Sequence, residues 1–483
     1  MIRCLNLNLN YIFKMKILKG IIFITLLSIF SPVAYSSSAK DYLDVEVARG
    51  WQNYDVENQN SLMPDADWWK CFDDSLLDSL IEIGLQRNYN VSMATRRIEI
   101  ARSAVGSARA AYYPGLSLNL GYENERSSGL LYGSKGQASN TSYFTGAVNM
   151  SWEIDVFGKI TQQVKAKKAA VDVSRADRAG VLVSLAAQIA STYIDLRVSQ
   201  QEILVANEHS ASQLKALNIA QARFETGLAS MLDVDQAKTV YYSTLASIPT
   251  LENEIRQDIN ALAVLLSENP EVLRALLETP RQLPSHVQLV TAGIPTDLLR
   301  RRPDVVEAEK QIDEYAAELG IAKKDYLPSL SLEGSVGVAA HRPGDLFNGP
   351  AFEYTIAPTL SWTIFDGLSR KYNIASARQN MEVAIDNYNM TVITAFEETD
   401  NALSEYFSDL KYIDTLNKLV ESSRNYDRLS IDQYKDGLAP FINVADAQVS
   451  YLNYENTLIQ AKGQALTALI DLYKALGGGW QAD

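Results

Sequence analysis

Histidine and cysteine are scarce in this 483-residue chain, which has three of the first (His209, His286, His341) and two of the second (Cys4, Cys71). That leaves little material for a metal centre or a disulfide framework, and no cofactor is expected. Positive charge is also in deficit. Lys and Arg number 44 against 58 Asp and Glu, a formal net charge of −14 that would repel a polyanion, so nucleic acid is not an expected partner. Catalytic signatures are missing too: no H-E-x-x-H, no G-x-S-x-G and no G-x-x-x-x-G-K-[ST] occurs, and no enzyme is expected. The "GGG" at 477–479 reads as a terminal turn. Arg300, Arg301, Arg302, Pro303 and Asp304 read as the opening of a helix, with Pro and Asp suited to its first turn, more than as an anion site. What is abundant, 47% hydrophobic and 21% charged residues, suffices for a large core or several elongated layers.

The N-terminus carries Lys14, Lys16 and Lys19, then the apolar run "GIIFITLLSIF", then small residues around Ala34 and Ser36. That is the order of a signal peptide, predicted here over residues 1–36. A membrane helix is the competing reading, but an eleven-residue run is short for the hydrocarbon core. Met15, opening "MKILKG", is a more ordinary start, and Cys4 would leave with the signal, so Cys71 has no partner within the mature chain.

Past the signal no stretch of eighteen uninterrupted apolar residues follows, so an exported form could enter a membrane only as a β-barrel. Four stretches have the required alternation: 115–122, 144–154, 330–338 and 352–364. In the first, Leu116, Leu118, Leu120 and Tyr122 alternate with Ser117, Asn119 and Gly121. In the last, Phe352, Tyr354, Ile356, Leu360, Trp362 and Ile364 hold one parity. Period two with one polar face fits lipid outside and water inside; a half-exposed sheet on a soluble domain is the alternative.

Elsewhere the punctuation disappears. Residues 159–226 contain one Gly and no Pro, and 368–436 contain neither, which predicts two very long helices, each about 100 Å. Both end in the same turn, "ARFETGLASMLDVDQA" at 222–237 and "DQYKDGLAPFINVADA" at 432–447. Gly227 and Gly437 suit the left-handed position that closes a helix. Ser230-x-x-Asp233 reads as a capping box for the returning helix, and Pro440 suits a first helical turn.

The chain is thus strand, strand, long helix, turn, returning helix, written twice. The Trp of "SWEIDVFG" and of "SWTIFDG" are offset by 210 residues, the Pro of "ARAAYYPGLSL" and of "AKKDYLPSLSL" by 214. The expected boundaries are 37–114 for an N-terminal segment and helix, 115–155 for the first strand pair, 156–277 for the first helical hairpin, 278–328 for a linker and helix, 329–366 for the second strand pair, 367–476 for the second hairpin and 477–483 for a tail. Four strands cannot close a barrel with an open interior, and an open edge cannot face lipid, so several copies must share one barrel. Three copies give twelve strands; the count alone does not exclude four.

The motifs "WWKCFDDSLLDSLIEIGLQRN" (68–88), "LSWEIDVFGKI", "IPTDLLRRRPDVVEAEKQI" (294–312), "SWTIFDG" and "LYKALGGGW" (472–480) resemble, in order and spacing, the TolC-like outer-membrane efflux proteins, specifically the NodT-like outer-membrane component of RND-type pumps. The resemblance covers nearly the whole mature chain. It implies an α+β, TolC-like fold: a homotrimeric twelve-stranded outer-membrane barrel in lipid, continued by an α-helical barrel through the periplasm. The implied partners are a periplasmic adaptor and an inner-membrane RND transporter. Many such relatives carry a lipobox Cys, whereas "SPVAYSSSAKDY" has none, which favours ordinary signal-peptidase cleavage.

On the same resemblance the twin turns are hairpin tips that meet the adaptor, through Gly227, Leu228, Ala229 and Ser230 and through Gly437, Leu438, Ala439 and Pro440. They also form the periplasmic gate. Ile442 and Asp446, four apart on one helical face, match the family's apolar and acidic constriction rings, and Ser450, Asn453 and Thr457 continue the polar stripe; a helix-dipole role for the acid is the plainer reading of Asp446. Tyr434 and Gln433 precede the second turn. Gln433 stands where relatives often carry Arg, and Arg223 of the first copy keeps a guanidinium; Leu232 and Asp233 are the corresponding gate candidates there. A conduit for type I protein secretion and a periplasmic coiled-coil scaffold that transports nothing are the alternative functions.

Overall fold

The computed structural model describes residues 67–128, 138–284 and 301–480, so the signal peptide, the lipobox segment, His286 and Arg300 lie outside the described residues. A 3₁₀ turn, Trp68–Phe72, opens the described chain. It is followed by α1 (Ser75–Arg87) and α2 (Tyr89–Ala110), then β1 (Gly115–Ser127) and β2 (Ser139–Ile154). The first hairpin is α3 (Lys159–Glu225) and α4 (Met231–Leu266), followed by the short α5 (Pro270–Leu277). Then α6 (Pro303–Lys324) leads to β3 (Ser329–Ala340) and β4 (Phe352–Ser361), and the second hairpin is α7 (Ser369–Lys435) and α8 (Phe441–Ala475).

The strands form one antiparallel sheet in the order β1-β2-β3-β4. Its register sorts the alternation into rows. Ser117, Asn149, Ser335 and Thr355 pair across all four strands, and one residue further along each strand so do Leu118, Val148, Val336 and Tyr354. One face is therefore polar. The other carries exposed Leu116, Leu118, Leu120, Tyr354, Ile356 and Leu360. β4 stops at Ser361, three residues short of the end of the alternating stretch, because it faces Ser329, where its partner β3 begins; just beyond, the Trp362 indole donates to the Tyr326 carbonyl at 3.0 Å. Trp152 makes the matching bond to Tyr112 at 2.9 Å, so the sequence repeat is also a repeat of hydrogen bonds.

Both long helices run 67 residues without proline, and α7 without glycine as well. Their exposed first amides are met by carboxylates from the junction: Asp155 accepts from Ile160 and Thr161 at 2.9 Å, and Asp366 from Arg370 at 3.1 Å. Such bonds satisfy donors that a helix start leaves open. α3 contains the one stretch among the described helices apolar enough to cross a membrane, and more than half of it is buried by protein. It is a core element: Leu185, Ile189, Tyr193 and Leu196 pack in a large cluster with Phe72, Leu77, Ile81, Leu262, Leu266, Leu469 and Leu472. Close approach of α8 to α3 needs Gly463, where a Cβ would collide with Val198.

The Arg302 guanidinium is buried and bonded to Asp304 (2.8 Å), Glu398 (2.6 Å) and the Ala475 carbonyl (3.1 Å). It pins the start of α6 to α7 and to the end of α8, a structural role. Cys71 is a free, half-buried thiol, raised to a pKa of about 11 by burial.

Candidate functional site at the paired hairpin tips

The two tips are built by the same backbone device. Gly227 and Gly437 have φ of +74° and +75°. In the first tip Gly227 N–H donates to Phe224 O at 2.9 Å and Leu228 N–H to Arg223 O at 2.8 Å. In the second Gly437 N–H donates to Tyr434 O at 3.1 Å and Leu438 N–H to Gln433 O at 2.8 Å. This pair of bonds is the Schellman closure, which requires a left-handed residue. The returning helices differ from expectation in detail. Ser230 is the N-cap of α4, but its hydroxyl donates to the Asp233 carboxylate at 3.1 Å and caps no amide. Pro440 is the N-cap of α8, one residue before its first helical turn.

Between the turns the two hairpins touch. Ala216, Leu217 and Ala220 of α3, Val234, Ala237 and Val240 of α4, Tyr434 of α7 and Phe441, Val444 and Ala445 of α8 form a separate apolar cluster. Tyr434 is 4% exposed and meets Phe441 edge to face at 5.0 Å. Its hydroxyl donates to Asp233 at 3.2 Å, and burial together with the Asp233 charge pushes its pKa up to about 12, so it remains a donor at neutral pH. Arg223 reaches across the same seam. Its guanidinium lies 5.1 Å from the Tyr434 ring centroid and donates to the Lys435 carbonyl at 2.7 Å.

Tyr434, Asp233 and Arg223 are therefore drawn together in one inter-hairpin link. Gln433 is exposed, and its carbonyl accepts from Leu438. Ile442 and Asp446 are both exposed on one face of α8, Asn453 is exposed further along it, and Ser450 and Thr457 are half-buried. Leu228, Leu232 and Leu438 are exposed at the tips, while Ala229 and Ala439 are half-buried.

A second polar contact between the hairpins lies further along the helices. His209 of α3 meets Glu455 of α8 at 2.8 Å. Arg424 of α7 donates to the Tyr451 hydroxyl at 2.7 Å and lies 3.5 Å from Glu455, and the His209 and Tyr451 rings are 4.6 Å apart. Sequence reading missed this group. Its partners are up to 246 residues apart and share no motif; the one available signal was a histidine in a chain with three.

The family description "outer membrane efflux protein" matches residues 80–268 and 294–478, both repeats of the chain. The chain belongs to the outer membrane efflux protein family. Among curated relatives, nodulation protein T of Rhizobium leguminosarum bv. trifolii is 28% identical over 413 residues, covering 86% of this chain and 88% of that protein. Outer membrane protein OprJ of Pseudomonas aeruginosa is 27% identical over 435 residues, covering 90% of each. Among solved structures, the outer-membrane channel OprN superposes with a TM-score of 0.84 at 28% identity, covering 91% of this chain and 98% of that one. The fold is thus that of a TolC-like channel protomer and the protein is an outer-membrane efflux component. The apolar face of the sheet is the lipid-facing one and the hairpins lie on the periplasmic side.

Proposed function

We propose that this outer membrane efflux family member is the exit duct of a tripartite RND-type pump, acting as a homotrimer. A periplasmic adaptor binds the tips, an inner-membrane RND transporter drives the flux, and the duct catalyses nothing itself. The observation that carries this reading is the sheet: four strands, apolar on one face and polar on the other, with both edges, β1 and β4, unpaired among the described residues. Unpaired edges in hydrocarbon cost several kcal/mol per backbone group, so copies must supply one another's edges. Three copies then enclose a lumen lined by the polar rows.

On this reading Gly227 to Ser230 and Gly437 to Pro440 are the adaptor contacts. Ile442 and Asp446 line the constriction, and the Tyr434, Asp233 and Arg223 link holds each second hairpin against the first. The mass of the protein in detergent and single-channel recording test the assembly: a conducting trimer is expected, and a stable monomer with full β content would refute it. Deleting the gene should sensitise cells to small toxic solutes. Loss of a secreted protein instead would point to type I secretion.

A further inference from the structure

Charge is unevenly placed along this chain. Two helices, α2 and α6, run up to β1 and β3, while α3 and α7 leave β2 and β4. The ten residues of each beside the sheet, 101–110, 159–168, 315–324 and 369–378, together hold eleven Lys and Arg and one acid, Glu318. Ten helical residues span about 15 Å, so this is a narrow band, in a chain whose formal charge is −14. The three carboxylates at the junction are already engaged inside the protomer: Asp155 on the first amides of α3 at 2.9 Å, Asp325 on Lys159 at 2.7 Å, and Asp366 on Arg370 at 2.7 Å.

Lys165, Lys167, Lys168, Lys371 and Arg378 are exposed, and Lys165, Lys168, Lys371 and Arg378 form no ion pair among the described residues. A scattered lysine is an ordinary solvated side chain. A band of one sign is different, because like charges three apart on a helix, such as Lys165 and Lys168, destabilise it. Assembly does not relieve this, since each copy brings the same sign to the same height.

The height identifies the counter-charge. Trp152 and Trp362, with their indoles tied to the carbonyls of Tyr112 and Tyr326, stand where the sheet meets the helices, and such residues mark a membrane–water boundary. The basic band begins within two turns of them. We propose that it is a binding surface for the anionic headgroups of phospholipids in the periplasm-facing leaflet, holding the barrel at a fixed depth. This rests on the outer-membrane placement of the sheet.

The test uses the mature full-length protein in vesicles of phosphatidylcholine or phosphatidylglycerol with brominated chains, which quench Trp152 and Trp362 when in contact. At low salt the protein should gather phosphatidylglycerol about threefold or more over phosphatidylcholine. At about 0.5 M salt the preference should vanish, since screening shortens the reach of surface charge. It should also vanish on combining Lys165→Gln, Lys167→Gln, Lys168→Gln, Lys371→Gln and Arg378→Gln. Equal quenching by both lipids at low salt in the parent protein would overturn the proposal without any variant. Absence of quenching by either lipid would strike at the membrane placement instead. Retention on purified peptidoglycan that the variant loses, with lipid preference unchanged, would assign the band to the cell wall and overturn the lipid role.

Discussion

The Tyr434 hydroxyl donates to the Asp233 carboxylate across 3.2 Å, joining the last turn of α7 to the first turn of α4, 201 residues away in sequence. Both groups sit at the edge of an apolar cluster, where an unmade hydrogen bond is costly. Tyr434→Phe keeps the ring against Phe441 and Arg223 and removes only the hydroxyl. Losing about 1 kcal/mol from the link should shift a closed-to-open equilibrium roughly fivefold. Single-channel recording should show a higher open probability. An unchanged value in a folded trimer would mean that this bond does not hold the gate.

Ile442 and Asp446 share the exposed face of α8 just above the second tip. Three copies of each around one axis would make an apolar collar and an acidic ring. Ile442→Ser with Asp446→Ala should raise conductance and weaken cation preference in planar bilayers. Trimer stability should barely move, because neither side chain buries much apolar area. If conductance and selectivity both stay at the parent's values, the constriction lies elsewhere, and Leu232, exposed in the first tip, is the next residue to change.

What was legible in the sequence was whatever repeats at short range. Period-two alternation placed the four strands, and the Pro-free runs placed both long helices, because these patterns answer to local backbone rules. Gly227 and Gly437 declared their left-handed turns for the same reason. The misses involve distant partners. The Ser230-x-x-Asp233 spacing suits an amide cap, yet the Asp233 carboxylate, itself fixed by Tyr434, accepts the hydrogen bond of the Ser230 hydroxyl. The alternating pattern runs to Ile364, yet the strand ends at Ser361 because the facing strand β3, distant in sequence, begins at Ser329. Charge position, by contrast, is explicit in the sequence, and acquires meaning only because the topology brings four separate segments to one level.

Asp258 of α4 shows a cost of acidic composition. Burial, with Asp195 and Glu254 close by, raises its pKa from 3.8 to about 7. The folded state therefore keeps a proton that the unfolded chain releases near 3.8, so stability from this group falls as pH rises from there to about 7 and stays low above it. Asp258→Asn should leave stability nearly unchanged at pH 4. At pH 8 it should add about 1–2 kcal/mol, a few degrees in Tm, after allowance for partial exposure. Thermal unfolding at the two pH values checks this, and an equal gain at both would assign the effect to something other than ionisation.

His209 and Glu455 form the second tie between hairpins, and its chemistry predicts an acid limit. Burial pushes the Glu455 carboxyl up, but the His209 hydrogen bond and the charges of His209 and Arg424 outweigh it and hold the group below the usual 4.5. Around the same ring are Tyr451, Arg424 on the Glu455 carboxylate, the half-buried Asp427, whose carboxyl is raised by burial and drawn back by His209, and Glu208, the sequence neighbour of His209. α4, which also packs on α3, has no Asp, Glu, Lys, Arg or His between Lys238 and Glu252. A depressed carboxyl contributes stability that is present above its unfolded pKa and lost as pH falls through the folded value. The tie should therefore hold from neutral pH down through 4.5 in the parent and be lost only below it. His209→Gln keeps a donor and removes the charge, leaving burial to dominate, so the carboxyl should rise and the loosening should begin at higher pH. Channel conductance recorded between pH 4 and 7 should increase earlier in the variant, with a cost of about 1–2 kcal/mol in hairpin stability. Two superimposable pH profiles would reduce His209 to a packing residue and leave Tyr434, Asp233 and Arg223 as the link that restrains the tips.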